Sequence, residues 1–154
     1  MHSTTALPIS LQAQTLQRLY QDWNDWRRGR EFPARADFDP CDLTYVLGNL
    51  SLYDVLRNPV RFRYRLHASN TAARTGVDMT GKFVDELPDR AHAKLANEHC
   101  LEVLDSRMPV VKWRRRQATD HRVWNSEILA LPLSNNGSDI DMLMACIAWS
   151  DTQP

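Results

Sequence analysis

The sequence predicts an α+β fold: a five-stranded antiparallel sheet with helices on one face and an extra N-terminal helix over the other. Three observations carry this. Five strand-like runs occur, two before and three after a helical middle. The last run, DMLMACIAW, is apolar on both faces, with Met142, Met144, Cys146 and Ala148 on one side and Leu143, Ala145, Ile147 and Trp149 on the other. Such a strand belongs in the middle of a sheet, covered above and below. The helices between the strand groups cover one face, and the spare apolar stripe for the other lies near the N-terminus.

Taken in order, residues 1–10 read as a flexible tail, 11–48 as a helix with its connector, and 49–150 as the sheet-and-helix core. Ser10 is a capping residue for the helix that follows. In LQAQTLQRLYQDWNDWRRG, Leu16, Leu19, Tyr20, Trp23 and Trp26 recur at spacings of three and four, one stripe of a helix that Gly29 stops. The connector GREFPARADFDP is stiffened by Pro33, which favours extended backbone before it. Its charges Arg30, Glu31, Arg35, Asp37 and Asp39 are expected to pair along an exposed segment that fixes where the helix lands. Asp39 and Pro40 then open a short helix running to Leu47 and ending at Gly48.

The first strand pair is Leu50–Leu56 and Arg61–His67, joined through Asn58-Pro59. The second alternates, with Phe62, Tyr64 and Leu66 on one face and three arginines on the other. Short helical turns follow, broken by Gly76, Gly81 and Pro88. A longer helix from about Asp89 to Ser106 aligns Ala93, Ala96, Cys100 and Leu104. Strands Val110–Gln117, Val123–Leu131 and Asp141–Trp149 close the chain, with Asn135-Asn136-Gly137 as the last turn.

Composition narrows the function classes. The chain has 154 residues, one domain's worth, with 43% hydrophobic and 25% charged residues, so it buries a core of its own. A formal net charge of zero removes bulk attraction to nucleic acid or anionic membrane. No apolar run is long enough to span a bilayer, and the first residues lack the basic-then-apolar layout of a secretory signal. Three widely spaced cysteines make no disulfide framework, and a cytoplasmic setting is expected.

Several motifs approach known chemistry. GVDMTGKF, Gly76 to Phe83, nearly spells a phosphate loop, but Phe83 supplies no hydroxyl for a metal and Asp78 adds negative charge. His92 and His99 sit about 10 Å apart along one helix and cannot share a zinc ion. No cysteine stands in the asparagine-cysteine-arginine context of a flavin photosensor. No haem, flavin or metal signature is present, and the cofactor is left open. The strongest basic cluster is KWRRR: six basic residues against one acidic lie between Arg107 and Arg122. Lys112, Arg114 and Arg116 share one strand face. They are read as basic surface, either a nucleotide or nucleic-acid contact or the charged protection of an edge strand. No nucleophile elbow, zinc-protease motif or matched carboxylate pair is seen, so catalysis is not expected.

The order of two strands, short helices, a long helix and three antiparallel strands resembles that of PAS domains. The segments WNDWRRGREFPARADFDP, YVLGNLSLYDV, RFRYRLHASN, GVDMTGKFVDEL and LALPLSNNGSDIDMLM resemble a family of small single-domain bacterial PAS-like proteins, common in alphaproteobacteria. The resemblance spans roughly residues 11–149. It implies a sensory or regulatory role, with a small apolar or mixed ligand and a protein signalling partner reached in trans. Where the family carries a glycine-containing turn after the second strand, this chain has His67-Ala68-Ser69, and the turn is left out of the expected pocket. The pocket residues expected are Tyr64, Leu66, Cys100, Leu104, Trp124 and Met144. Leu16, Leu19, Tyr20, Trp23 and Trp26 are expected to cover the sheet and to build a homodimer. A nucleotide or nucleic-acid binder using Lys112–Arg116 and a small enzyme with an unrecognised site are the alternatives.

Overall fold

The structure, a computed structural model, describes residues 10–117 and 123–150, without the side chains of 116 and 117. Helix α1 (Gln14–Arg27) is followed by 3₁₀ turns at Arg35–Asp37, Pro40–Leu43 and Leu47–Asn49. Strands β1 (Leu50–Leu56) and β2 (Arg61–Leu66) come next, then helix α2 (Ser69–Thr75), a 3₁₀ turn at Val84–Glu86 and helix α3 (Arg90–Ser106). Strands β3 (Val110–Gln117), β4 (Val123–Leu133) and β5 (Met142–Ser150) complete one antiparallel sheet of order β2-β1-β5-β4-β3. Among the described residues no helix is long and apolar enough to cross a membrane.

The two-faced apolar strand β5 is central, as its pattern requires. Met142, Met144 and Cys146 face a core shared with α1, while Leu143 and Ala145 face a core shared with α3. From α1, Leu16, Leu19, Tyr20 and Trp23 are buried against Leu129, Leu131 and Leu133 of β4 and Leu50 and Leu52 of β1. Trp26 is half-buried and stacks on Phe38 at 4.7 Å. The stripe therefore covers the sheet within its own chain.

Polar contacts fix α1 near both ends. Ser10 does not cap it: the N-cap position is Ala13, with no side-chain cap. Instead Glu127 of β4, 2% exposed, accepts the N–H groups of Gln12 and Ala13, each at 2.8 Å. This is a capping carboxylate supplied from 114 residues away, and it suits the positive end of the helix. Further along, the Trp23 indole donates to the Pro132 carbonyl at 2.9 Å. β4 runs through Pro132 to Leu133, two residues beyond the expected end at Leu131.

The connector is less exposed than its charges implied. Phe32 enters the α3-side core and Phe38 the α1-side core. It docks on the β4–β5 turn, where Ser134 N–H donates to the Pro33 carbonyl and Arg35 N–H to Asn135 Oδ1. Arg30 pairs with Asp37, and Glu31 with Arg107. The short helix expected from Pro40 to Leu47 is instead the two 3₁₀ turns named above.

Two corrections concern faces. A bulge in the β1–β2 ladder pairs Tyr53 with Tyr64 but Leu52 with Leu66, skipping Arg65. Directly opposed residues share a face, so Leu66 is carried to the α1 side, at the margin, 40% exposed. One extra residue reverses a side chain's direction. On α3 the inward stripe is Ala93, His99, Cys100 and Val103, one position rotated from the expected one, leaving Leu104 half-buried at its flank.

Replacing Glu127 with alanine is expected to cost about 1–3 kcal/mol, measured by urea unfolding, and to speed amide exchange in the first turn of α1. Trp23→Phe keeps the ring but orphans the Pro132 carbonyl, and is expected to cost a similar about 1–3 kcal/mol.

Candidate functional site

Between the sheet and the α2–α3 layer lies a cavity of about 80 Å³, well above the ~10–15 Å³ that admits one water. Its room comes from small residues facing each other: Ala130 and Ala145 on the sheet, Ala96 on α3. The ladder arranges its floor in rows. Ser51, Ala145, Ala130 and Val110 form one row, Ile147, Ile128 and Lys112 the next, and Trp149, Ser126 and Arg114 a third.

At the β1–β2 end the polar groups are largely committed. Ser51 Oγ accepts the Ala68 N–H at 2.9 Å and hydrogen-bonds Tyr53, which bonds Tyr64 in turn. Tyr53 and Tyr64 rings pack at 4.8 Å. Burial raises both phenols, with neighbouring Tyr64 and Cys100 adding to the effect at Tyr53. The turn left out of the expected pocket supplies a wall. His67, 7% exposed, packs on Tyr64 at 4.6 Å, and its Nδ1 accepts the Met79 N–H at 3.0 Å. An accepting Nδ1 places the proton on Nε2 in the neutral ring. Burial lowers its pKa, opposed by Asp78.

His99, 5% exposed, is the inward histidine of α3. A carbonyl only accepts, so Nε2–H donates to Val110 O at 2.9 Å and Nδ1 is left as an acceptor. Burial pushes this imidazole down to about 4, against the Val110 hydrogen bond, so it is neutral at neutral pH. Cys100 beside it has its thiol pushed up to about 12 by burial alone, far from the thiolate that a nucleophile needs.

Of the six pocket residues expected from sequence, Tyr64 and Cys100 line this cavity. Met144 does not: it faces α1, because odd-numbered residues of β5 point to the cavity and even-numbered ones to the helix. Leu66 and Leu104 are placed away from it by the bulge and the rotated stripe. Trp124 stands edge-on to Trp149 at 5.8 Å, behind the cavity wall, with Arg74 over both rings. The sequence reading missed Ser51, Ser126 and His99 as wall residues. Ser126 had a signal, a small polar residue at an inward position of a period-two pattern with Ile128 and Ala130.

The basic strand is also relocated. Lys112 is tied to Glu102 of α3 at 2.9 Å. Arg114 is half-buried on the cavity wall, donating to the Leu95 and Trp113 carbonyls. Lys112 stays at the surface but is ion-paired, Arg114 is turned onto the cavity wall, and the side chain of Arg116 lies outside the described residues. The near-phosphate loop is closed to anions as well. Met79 N–H serves His67, Thr80 N–H serves Asp78, Gly81 N–H serves the Tyr64 carbonyl, and Lys82 N–H serves the Met79 carbonyl. Among the described residues, no group of three metal-ligating side chains converges.

The pH dependence of stability follows from the buried imidazoles. Unfolded, His99 binds a proton near pH 6.5; folded, near 4. Between those values the unfolded state holds more protons, so stability rises with pH. The contribution is complete above pH 6.5 and is lost as pH falls toward 4, by about 3 kcal/mol from His99, with His67 acting in the same direction. Urea unfolding at pH 7 and pH 5 is expected to show about 2 kcal/mol of this loss, and His99→Gln is expected to shrink it.

The family model for the PAS domain matches residues 11–148. Two solved structures share the fold at low identity. The PAS domain of Bordetella pertussis BvgS is 16% identical with a TM-score of 0.51, over 90% of this chain and 88% of that one. A sensory box sensor histidine kinase from Vibrio cholerae is 16% identical with a TM-score of 0.50, over 73% of this chain and 90% of that one. No curated protein matches the sequence. A central strand covered on both faces, the antiparallel order of the sheet and a family match over nearly the whole length lead to one conclusion: the chain belongs to the PAS domain family.

Proposed function

We propose that this PAS domain is a cytoplasmic sensory or regulatory module. It takes a small molecule into the cavity between the sheet and α2–α3 and passes the change through the sheet to α1 and a protein partner. The observation that carries the reading is a cavity whose wall includes a buried polar group with no partner among the described residues, Trp149 Nε1. Buried polar groups are ordinarily satisfied, so this one calls for an occupant. The walls favour binding over attack. The Cys100 thiol and both tyrosines are pushed away from ionisation, and both imidazoles toward neutrality.

The route outward is short. Ser126 faces the cavity, and Glu127, the next residue of β4, faces α1 and holds its N-terminus. A shift of β4 on occupancy acts on the helix cap directly. Because Leu16, Leu19, Tyr20 and Trp23 are already buried in their own chain, a homodimer has to use other surfaces. The nucleic-acid reading is disfavoured, since Lys112 and Arg114 are turned onto α3.

Native mass spectrometry of the purified chain, with thermal melts against a small-molecule library, tests the reading. A ligand at a hundredfold excess over its Kd is expected to add about 2.7 kcal/mol to stability. Ala145→Leu fills the cavity and is expected to abolish both retention and the thermal response. Amide exchange in the first turn of α1 is expected to change on binding, and the change to vanish in Glu127→Gln. A filled variant that responds like the wild type rejects the cavity as the site.

A further inference from the structure

The third row of the cavity floor, Arg114, Ser126 and Trp149, crosses three neighbouring strands on one face. Its groups share an unusual property. Arg114 makes no ion pair among the described residues; its bonds go to the Trp113 and Leu95 carbonyls, and Glu98 on α3 attracts it only through space. Ser126 is 2% exposed, and its hydroxyl has no hydrogen-bond partner among the described residues. Trp149 Nε1 is buried with no partner. A guanidinium and an indole only donate, and a serine hydroxyl donates as well. Trp149 Nε1 is unanswered inside the protein, the Ser126 hydroxyl is uncommitted, and Arg114 keeps N–H groups beyond the two that bond carbonyls, so the row as a whole calls for an occupant that accepts.

We propose that this row is the carboxylate-binding end of the cavity, and that the ligand is a small organic acid. The inference rests on the reading of the cavity as a ligand site. An ionised carboxylate is acceptor-only, with two oxygens for the guanidinium, hydroxyl and indole. The charge also matches. The row holds the Arg114 cation, with the Arg74 guanidinium over the Trp149 ring at 4.4 Å, the neighbouring Lys112 is neutralised by Glu102, and His67 and His99 face the cavity as neutral rings. The acid's body then lies along Ile128 and Ile147 toward Ala130 and Ala145. Adjacent rows are about 7 Å apart along the strands, so the body is a short alkyl chain or a single ring.

The test is calorimetric titration of the full chain with hexanoate and benzoate and with their neutral amides, hexanamide and benzamide. At least one acid is expected to bind, its amide at least tenfold more weakly. Arg114→Gln is expected to weaken the acid at least tenfold and to erase the preference over the amide. Trp149→Phe, which removes the N–H and keeps a ring, is expected to weaken the acid several-fold and serves if Arg114→Gln does not fold. Acid and amide binding alike, in the wild type and in both variants, overturns the carboxylate assignment while leaving the cavity a ligand site. Binding of none of the four probes also overturns it. The cavity reading then survives where native mass spectrometry shows a retained molecule that Ala145→Leu excludes, and falls where it shows none.

Discussion

Everything in this fold follows from one strand that cannot meet water on either side. Leu143, Met144 and Cys146 are at most 1% exposed, with Leu143 on one face of β5 and Met144 and Cys146 on the other. Fully burying a side chain of this size contributes about 1.5–3 kcal/mol, so a sheet with one open face would forfeit half of that gain. The strand therefore needs pairing on both edges and a layer on both faces. β1 and β4 supply the first, and α3 and α1 the second. A helix remote in sequence from the sheet becomes an obligatory part of the domain.

The two layers are built differently. Under α1 the sheet presents leucines and methionines against Leu16, Leu19, Tyr20 and Trp23, a tight layer closed by two polar clamps, Glu127 at the helix start and Trp23 on Pro132. Under α3 the facing positions include Ala93, Ala96, Ala130 and Ala145, which leave space between helix and sheet. Polar side chains, His67, His99, Ser51 and Ser126, line that space, and their incomplete pairing makes it a place for a guest. A single strand, β4, belongs to both layers. Its alternation puts Ser126 in the cavity and Glu127 on the helix cap, so the shortest path between the two faces is one peptide bond.

The elements were legible because periodicity is local. The strand runs of β1 and β3 and the extent of α3 were read from residue spacing, and the structure closes α3 with Asp89 accepting the His92 N–H at its start and a left-handed Arg107 after its end. The site was much less legible. Met144 and Ala145 are adjacent and both apolar; which one faces the cavity depends on which layer lies above which face, and no property of β5 alone decides that. Leu66 followed a perfect alternation until a bulge reversed it. His99 looked like an ordinary helical histidine until a small rotation of α3 brought it inward. Arg114 and Lys112 read as surface charges because a strand pattern does not show that a helix lies over an edge strand.

The sequence by itself determined the number and order of strands, the central place of β5, and the need for a helix over each face. These rest on short-range spacing and on the cost of leaving apolar surface in water. Tertiary structure alone decided which alternate residues look into the cavity, that a carboxylate from β4 caps α1, and that Arg114, Ser126 and Trp149 stand in one row. Those facts depend on register, bulge and helix rotation, each a one-residue displacement that redirects a side chain, and each is set only when distant segments pack together.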